Sequence, residues 1–183
     1  MMKGLLAGFL LAVLILVGGV FYYFSSGMAP AATSDPPMPF EEKLAGMALH
    51  EHIKKQGTPQ SPVPADEPNL LAAADVYKNH CAACHGLPGQ PLTEYASGMY
   101  PQPTELFGMM GVTDDPVSET YWKVTHGIRL TGMPSFKNAL TDTERWQVSQ
   151  LAAHADKLPD SVNKALVPET PPSSTAVPPL KKK

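Results

Sequence analysis

Cysteine is scarce in this chain, because only Cys81 and Cys84 occur among its 183 residues. A four-thiolate zinc site needs two pairs of cysteines, so the sequence excludes that kind of site. No further thiol remains for a disulfide network, a second metal site or a lipoprotein anchor. The two cysteines lie three positions apart and must be interpreted together.

The sequence also lacks an excess of basic residues, a strand-like alternation of apolar and polar residues, and internal repeats. Residues 69–160 contain six Lys/Arg and ten Asp/Glu, a net charge of −4, whereas a nucleic-acid partner requires a basic surface. An acidic domain is instead expected to be steered toward a protein with a positive docking patch. Nothing in this region alternates as a strand does, which predicts an all-α fold. The lack of a repeat excludes a second copy of the domain.

The most informative segment that is present is Cys81-Ala-Ala-Cys84-His85. This spacing suits covalent attachment of a c-type haem, in which both thiols add to porphyrin vinyl groups and His85 becomes the proximal iron ligand. A redox-active dithiol, half of a Cys₂His₂ zinc site and a chance match are the alternatives. The dithiol is expected near a βαβ pattern, and zinc requires paired histidines that the downstream sequence lacks. Haem attachment is therefore favoured.

A second axial ligand is predicted at Gly132-Met133-Pro134, 48 residues beyond His85. A thioether ligand raises the reduction potential of the iron relative to a second imidazole. Glycine permits close approach of the backbone to the porphyrin, and proline fixes the direction of the chain. Met99, and Met109 with Met110 between two glycines, are the alternatives. Met133 is favoured because its loop has no helical face that the side chain would fill.

Helices are predicted on both sides of these motifs. The first begins near Glu67-Pro68-Asn69 with Asn69 as its cap, and a second begins at Asp115-Pro116. Thr141 and Glu144 form a capping-box pattern that opens a closing helix, which extends to Leu158-Pro159. The positions predicted to be apolar on the first and last helices are Leu70, Ala73, Ala74, Tyr77, Cys81, Trp146, Val148, Leu151 and Ala152.

In the order of these landmarks, residues from about 69 to 159 resemble a class I cytochrome c domain. A helix runs into C-x-x-C-H, a Gly-Met-Pro loop follows, and an amphipathic helix with Trp146 closes the domain. The resemblance covers about half of the chain. It implies a small helical domain around one covalently bound haem, ligated by His85 and Met133, and electron transfer rather than catalysis.

Three further residues are candidate haem contacts. Arg129 carries a guanidinium that suits a haem propionate, although an ordinary surface role is an equal alternative. Trp122 is predicted in the core, where it could shield the haem, and Tyr100 is a candidate for an apolar wall.

The N-terminus contains an uncharged run of 20 residues from Leu5 to Phe24. At about 1.5 Å per residue this run is long enough to cross a hydrocarbon core of roughly 30 Å. Tyr22 and Tyr23 lie where an interfacial aromatic belt is expected. The alternative is a cleavable signal peptide, whose apolar region is usually shorter. Residues 1–24 are therefore predicted to be a single-pass anchor in the inner membrane, with the haem domain on the periplasmic side.

The remaining segments are predicted to be a tether and a tail. Residues 25–68 are rich in proline and are expected to be extended, apart from a short amphipathic helix at 40–54 that bears Phe40, Leu44, Met47 and Ile53. This helix either docks onto a partner or onto the domain itself, or it is a short helix with no partner. Residues 161–183 are low in complexity and end in three lysines, so a disordered tail is predicted.

These segments together predict a membrane-anchored carrier, not an enzyme. It is expected to pass single electrons between redox proteins, namely a membrane respiratory complex or a soluble periplasmic carrier. One alternative is a haem subunit fixed within a larger respiratory or dehydrogenase complex. The other is a haem sensor or peroxidase in which Met133 dissociates from the iron.

Overall fold

A computed structural model describes residues 2–57, 59–108 and 111–167. Within these ranges the chain is all-helical and forms no strand, as the sequence predicts. The helices are α1 (Met2–Ser25), α2 (Glu41–Lys55), α3 (Glu67–His80), α4 (Ala82–His85), α5 (Glu94–Ser97), α6 (Val117–His126), α7 (Asp142–Ala153) and α8 (Asp160–Leu166). The described residues fall into two compact units, which divide between His50 and Glu51.

The first unit contains α1 and most of α2. No residue of α1 is buried, and the helix is long and apolar enough to cross a membrane, a criterion that a signal sequence also meets. The Glu41 carboxylate accepts a hydrogen bond of 2.8 Å from the Met38 amide, in the manner of a helix cap. The sequence predicts a helix at 40–54, and α2 occupies Glu41–Lys55.

The core of the second unit is built on α3, which packs against α7 and α8, while α6 also packs against α7. The predicted cap of α3 is wrong: the Asp66 carboxylate, not Asn69, caps the helix by accepting the Asn69 amide at 3.1 Å. The predicted apolar face is buried, and Ala73 and Ala74 have no exposed surface. Their small side chains let the backbones of neighbouring helices approach α3 closely.

The capping box predicted for α7 is present. The Glu144 amide donates to the Thr141 hydroxyl at 3.3 Å, and the Thr141 amide donates to the Glu144 carboxylate at 2.7 Å. The helix ends at Ala153, short of the predicted Leu158-Pro159. Tyr121, in the middle of α6, stacks on Trp146 of α7 with ring centroids 3.8 Å apart, so α6 is fixed to α7 there.

The helix α8 replaces the beginning of the predicted tail. Residues 160–166 form this helix, and its Val162 and Leu166 side chains have no exposed surface because they join the core beside α3. The two residues are four positions apart, a spacing that gives a helix one apolar face. The rest of the predicted tail, residues 168–183, lies outside the described residues.

The last part of the predicted tether also belongs to the second unit. Ile53 and Val63 are buried, and the Gln150 side-chain amide donates to the Val63 carbonyl at 2.9 Å. His52 contacts Trp122 edge-on at 5.5 Å between ring centroids. Two apolar residues and one buried hydrogen bond therefore attach residues beyond position 50 to the helical core, which an extended tether would not do.

Candidate haem site

The two cysteines and His85 lie on one turn of helix. Cys81 ends α3, where its amide donates to the Tyr77 carbonyl at 2.8 Å, and it also precedes α4. The Cys81 carbonyl then accepts the amides of Cys84 at 3.0 Å and of His85 at 2.9 Å. This turn holds the two sulfurs and the imidazole in a fixed local order, as the motif requires.

The environment of the thiols does not suit one of the alternatives for this motif, the redox-active dithiol. Both cysteines are free and partly buried, and burial, followed by the adjacent Cys84, raises the pKa of Cys81 to about 12. A redox-active dithiol requires a lowered thiol pKa, so this environment does not suit one. In the described part of the chain no three His, Cys, Asp or Glu side chains are grouped as a metal site, so no zinc-site cluster is found there.

His85 is oriented by the backbone of a distant loop. Its Nδ1 atom lies 2.7 Å from the carbonyl oxygen of Thr104. A carbonyl oxygen can only accept, so the proton of the neutral ring belongs on Nδ1. Nε2 then keeps its lone pair available for a metal. A haem iron approached from Nε2 therefore fits this imidazole.

Tyr77 supports the same turn from inside the core, a role that the sequence analysis did not foresee. Its buried hydroxyl donates to the Gly86 carbonyl at 2.7 Å, and its ring contacts Phe107 edge-on at 5.2 Å. Burial, followed by the nearby Cys81, raises the pKa of Tyr77, so the hydroxyl remains a donor. The hydrogen bond fixes the chain immediately after His85, where Gly86 has a φ of 76°.

Met133 lies in a loop that is hydrogen-bonded to the end of α6. The Ile128 amide donates to the Met133 carbonyl at 3.2 Å, and the Met133 amide donates to the Thr131 hydroxyl at 3.1 Å. That hydroxyl donates in turn to the Ile128 carbonyl at 2.7 Å. These three hydrogen bonds fix the backbone of Met133 within its loop.

The close approach of this loop to α6 depends on Gly127. Its φ is +70°, and a Cβ atom there would lie 2.7 Å from Pro134 and 2.8 Å from the Met133 carbonyl oxygen. A glycine directly after a helix usually indicates a cap, so nothing in the sequence indicated the contact of Gly127 with Met133.

The structure brings the two halves of the candidate site to one core. Cys81 and Met133, which are 52 positions apart, both pack against the cluster of buried residues around Tyr77. The other partly buried apolar residues near the two motifs that pack there are Leu87, Leu106, Phe107 and Phe136. A cleft beside this cluster is lined by His85, Leu87, Gly89, Gln90, Glu105, Phe107 and Gly108. The apolar side chains of the cluster beside this cleft fit the edge of a porphyrin.

The other candidate residues are placed as follows. Arg129 is exposed in the Met133 loop, and Tyr100 is partly buried. Trp122 is partly buried on α6, where it contacts the rings of His52 and His126.

Of the three alternative methionine ligands, only Met99 lies among the described residues. The sulfur of Met99 lies 3.0 Å from the position of a Cβ on Gly132, so Met99 is adjacent to the Met133 loop and stays an alternative ligand. Met109 and Met110 lie outside the described residues.

Residues 68–150 match the family described as cytochrome c oxidase, cbb3-type, subunit III. This span contains the C-x-x-C-H turn and Met133. The chain carries a cytochrome c domain. A domain of this family binds haem and transfers electrons, and its all-α fold is the one found here.

Among solved structures, a chain of the reducing HAO-like protein complex of Kuenenia stuttgartiensis is 26% identical to this cytochrome c chain. The similarity covers 51% of this chain and 46% of that chain, with a TM-score of 0.43. This chain thus spans less than half the length of that protein. No curated protein matches the chain.

Proposed function

We propose that this protein is a membrane-anchored c-type cytochrome that carries single electrons between redox proteins. One haem is held through thioether bonds to Cys81 and Cys84, with His85 and Met133 as axial ligands. The observation that carries this proposal is the hydrogen bond of His85 Nδ1 to the Thr104 carbonyl, which leaves Nε2 for iron. When bound, the haem iron supplies a centre that takes up and releases one electron.

The protein's own groups favour electron transfer over catalysis. The Thr104 carbonyl holds the imidazole of His85 in one orientation, and the Thr131 hydroxyl holds the backbone of Met133. A haem iron held by both His85 and Met133 would have no position left for oxygen or peroxide. His85 lies on the helical turn α4 and Met133 on a hydrogen-bonded loop, so little rearrangement accompanies a change of charge.

The apolar helix α1 supports a location at the membrane. Its 24 residues from Met2 to Ser25 contain one charge, Lys3, at the N-terminal end. A cytoplasmic Lys3 agrees with the excess of positive charge on the inner side of membrane helices. This orientation puts the haem domain on the outer, periplasmic side of the inner membrane.

Absorption spectroscopy of the purified protein tests the ligands. The oxidised protein is expected to show the weak sulfur-to-iron charge-transfer band at the red end of the visible spectrum. Met133→Ala should abolish the band and Met99→Ala should preserve it. The reverse pattern would move the ligand to Met99, and a parent protein without the band would contradict thioether ligation. The spectrum of the pyridine-bound haem in alkali reports whether both thiols are attached.

The family description favours one second candidate, a haem subunit fixed in a membrane oxidase. The matched family is named as subunit III of a cbb3-type cytochrome c oxidase. Extraction in a mild detergent followed by native electrophoresis separates the two functions. A free carrier migrates as the single chain, whereas a fixed subunit migrates with other subunits in constant proportion.

A further inference from the structure

Three apolar side chains at the beginning of α2 are exposed. Phe40 directly precedes the helix and is 71% exposed, while Leu44 and Met47 in its first half are 61% and 54% exposed. Spacings of four and three positions put these side chains on one face. Ile53, nine positions after Leu44, lies on the opposite face and is buried in the second unit. The exposed apolar face is therefore separate from the face that packs on protein.

The backbone holds Phe40 in its exposed position. Its φ is +66°, a left-handed conformation that costs free energy for a bulky side chain. The Glu41 amide donates to the Met38 carbonyl at 3.1 Å, and the Leu44 amide donates to the Phe40 carbonyl at 2.8 Å. Neither the strain nor the exposure of Phe40 stabilises the fold, and strained residues are concentrated at functional sites.

The segment between α1 and α2 folds back onto the end of α1. Tyr23 is the one side chain of α1 that is partly buried, and it lines a cleft together with Pro39 and other residues of this segment. The Asp35 carboxylate accepts a hydrogen bond of 2.9 Å from the Ala32 amide, which closes a turn within the segment. Because Pro39 adjoins Phe40, the exposed apolar face begins beside the end of α1.

The end of α1 is expected at the surface of a bilayer. The 24 residues of this helix span about 36 Å at 1.5 Å per residue, whereas a hydrocarbon core is about 30 Å thick and a bilayer with its headgroups about 40–45 Å. If α1 crosses the membrane, Tyr23 lies among the headgroups, where tyrosine is enriched. Phe40 then begins at the same level, and positions 40–47 extend only about 10 Å from it.

The charge of this part of the chain indicates which lipid the face would bind. Residues 26–50 carry three carboxylates, Asp35, Glu41 and Glu42, and one ammonium group, Lys43, which gives 1 − 3 = −2 with His50 neutral. Electrostatic attraction to anionic lipid is therefore not expected. Burial of apolar side chains among zwitterionic lipids remains as the driving force.

We propose that Phe40, Leu44 and Met47, here called the α2 apolar face, bind the outer surface of the bilayer that α1 crosses. The three side chains enter about 5–10 Å into the boundary between headgroups and acyl chains. Lys43, three positions after Phe40, extends its ammonium group to the water. This inference rests on the membrane location in the proposed function. The predicted tether is then attached at both ends, because its first part binds lipid and residues beyond 50 join the helical core.

The test uses the full-length, haem-loaded protein in phosphatidylcholine vesicles, with a nitroxide label on one added cysteine. Leu44→Cys and Met47→Cys place the label on the α2 apolar face. Ala45→Cys is the matched control, since Ala45 is also exposed and lies about 100° round the helix from Leu44. The parent, whose two thiols are bound to haem, is the blank for label uptake. Electron paramagnetic resonance compares relaxation of the label by oxygen, which partitions into lipid, with relaxation by a water-soluble nickel chelate.

We expect the ratio of the oxygen effect to the nickel effect to be higher at positions 44 and 47 than at position 45. Leu44→Glu should lower the ratio at position 47 to that at position 45, because a carboxylate disfavours insertion. Ala45→Glu should leave the ratio at position 47 unchanged. Replacing part of the phosphatidylcholine by phosphatidylglycerol should also change nothing.

Three results overturn the proposal. The first is a ratio at positions 44 and 47 no higher than at position 45. The second is a label shielded from both oxygen and nickel, which assigns the face to a protein partner or a second copy of the chain. The third is a high ratio only with phosphatidylglycerol, which makes charge and not the apolar face the cause of binding.

Flotation of the parent with vesicles after an alkaline wash separates this proposal from the proposed function. A parent that does not float contradicts the membrane anchor and, with it, the binding of the α2 apolar face. A parent that floats while positions 44 and 47 are open to nickel contradicts only the α2 apolar face.

Discussion

Gly127 and Met133 are in direct backbone contact: a Cβ atom on the glycine would lie 2.8 Å from the methionine carbonyl oxygen. The residue that ends α6 thus sets the distance of the Met133 loop from that helix. Glycine is required here both because φ is +70° and because no space exists for a side chain.

Gly127→Ala is expected to destabilise the domain by about 2–4 kcal/mol, because it adds a steric clash to the cost of a positive φ. Urea unfolding gives this free energy, and the sulfur-to-iron band of the haem-loaded protein should weaken in parallel. Gly89→Ala is the matched control, since Gly89 has a φ of +69° but no atom within 4 Å of its Cβ position. Equal losses for the two variants would show that the contact with the Met133 loop has no energetic effect.

Tyr77→Phe removes one buried hydrogen bond while keeping the ring that contacts Phe107. The Gly86 carbonyl then loses its donor, which should cost about 1–3 kcal/mol in the free energy of unfolding. Tyr121→Phe is the comparison, because its hydroxyl donates to Asp142 at an exposed position where water can replace it. Chemical denaturation of both variants checks the prediction. A smaller loss for Tyr77→Phe than for Tyr121→Phe would contradict the role of Tyr77 in supporting the turn.

Leu166→Ala tests whether α8 belongs to the domain. The side chain has no exposed surface, so its truncation should cost about 2–5 kcal/mol. Val167→Ala, at the next position, is 54% exposed and should change stability by less than about 0.5 kcal/mol. Thermal unfolding of the two variants provides the comparison. If Leu166→Ala melts at the parent temperature, the domain ends before α8.

The carboxyl group of Asp142 makes the stability of the domain vary with pH in the acid range. Hydrogen bonds from the Tyr121 hydroxyl and then from Arg145 lower the pKa of Asp142 from 3.8. Because the folded pKa lies below the unfolded one, the stabilisation is complete above 3.8 and is lost as the pH falls through the lower folded value. In Asp142→Asn the melting temperature should therefore be lower near neutral pH and decline less below pH 3.8 than in the parent. Asp156→Asn, at an exposed position, should decline as the parent does.

Binding of carbon monoxide tests whether Met133 occupies a coordination position of the haem iron. The reduced parent protein should not bind carbon monoxide without denaturant, whereas Met133→Ala should bind it, because the variant leaves an axial position open. The absorption spectrum before and after addition of the gas is the measurement. Binding by the parent would favour the haem sensor or peroxidase and count against a simple carrier.

The features that the sequence predicted correctly are local ones. The Thr141–Glu144 capping box and the buried face of α3 depend on residues three or four positions apart, a distance over which patterns in the sequence are informative. The assignment of Cys81, Cys84, His85 and Met133 to haem stays a prediction until the loaded protein is measured.

The features that the sequence did not predict depend on contacts between distant residues. The stacking of Tyr121 on Trp146 and the bond from Tyr77 to Gly86 arise only once helices have packed. The helix α8 was overlooked because its two core residues adjoin a Pro-rich segment that dominates the composition. Net charge does not predict local charge here, because only three of the six cations in residues 69–160 pair with carboxylates in the described part of the chain.

The packing of α3 has a consequence for the order of synthesis. This helix comes first in the domain, yet it buries its apolar face against α7 and α8, which come last. A ribosome that has released α3 must therefore complete nearly the whole domain before the core can close. The core against which Cys81 packs is therefore complete only once α8 is present.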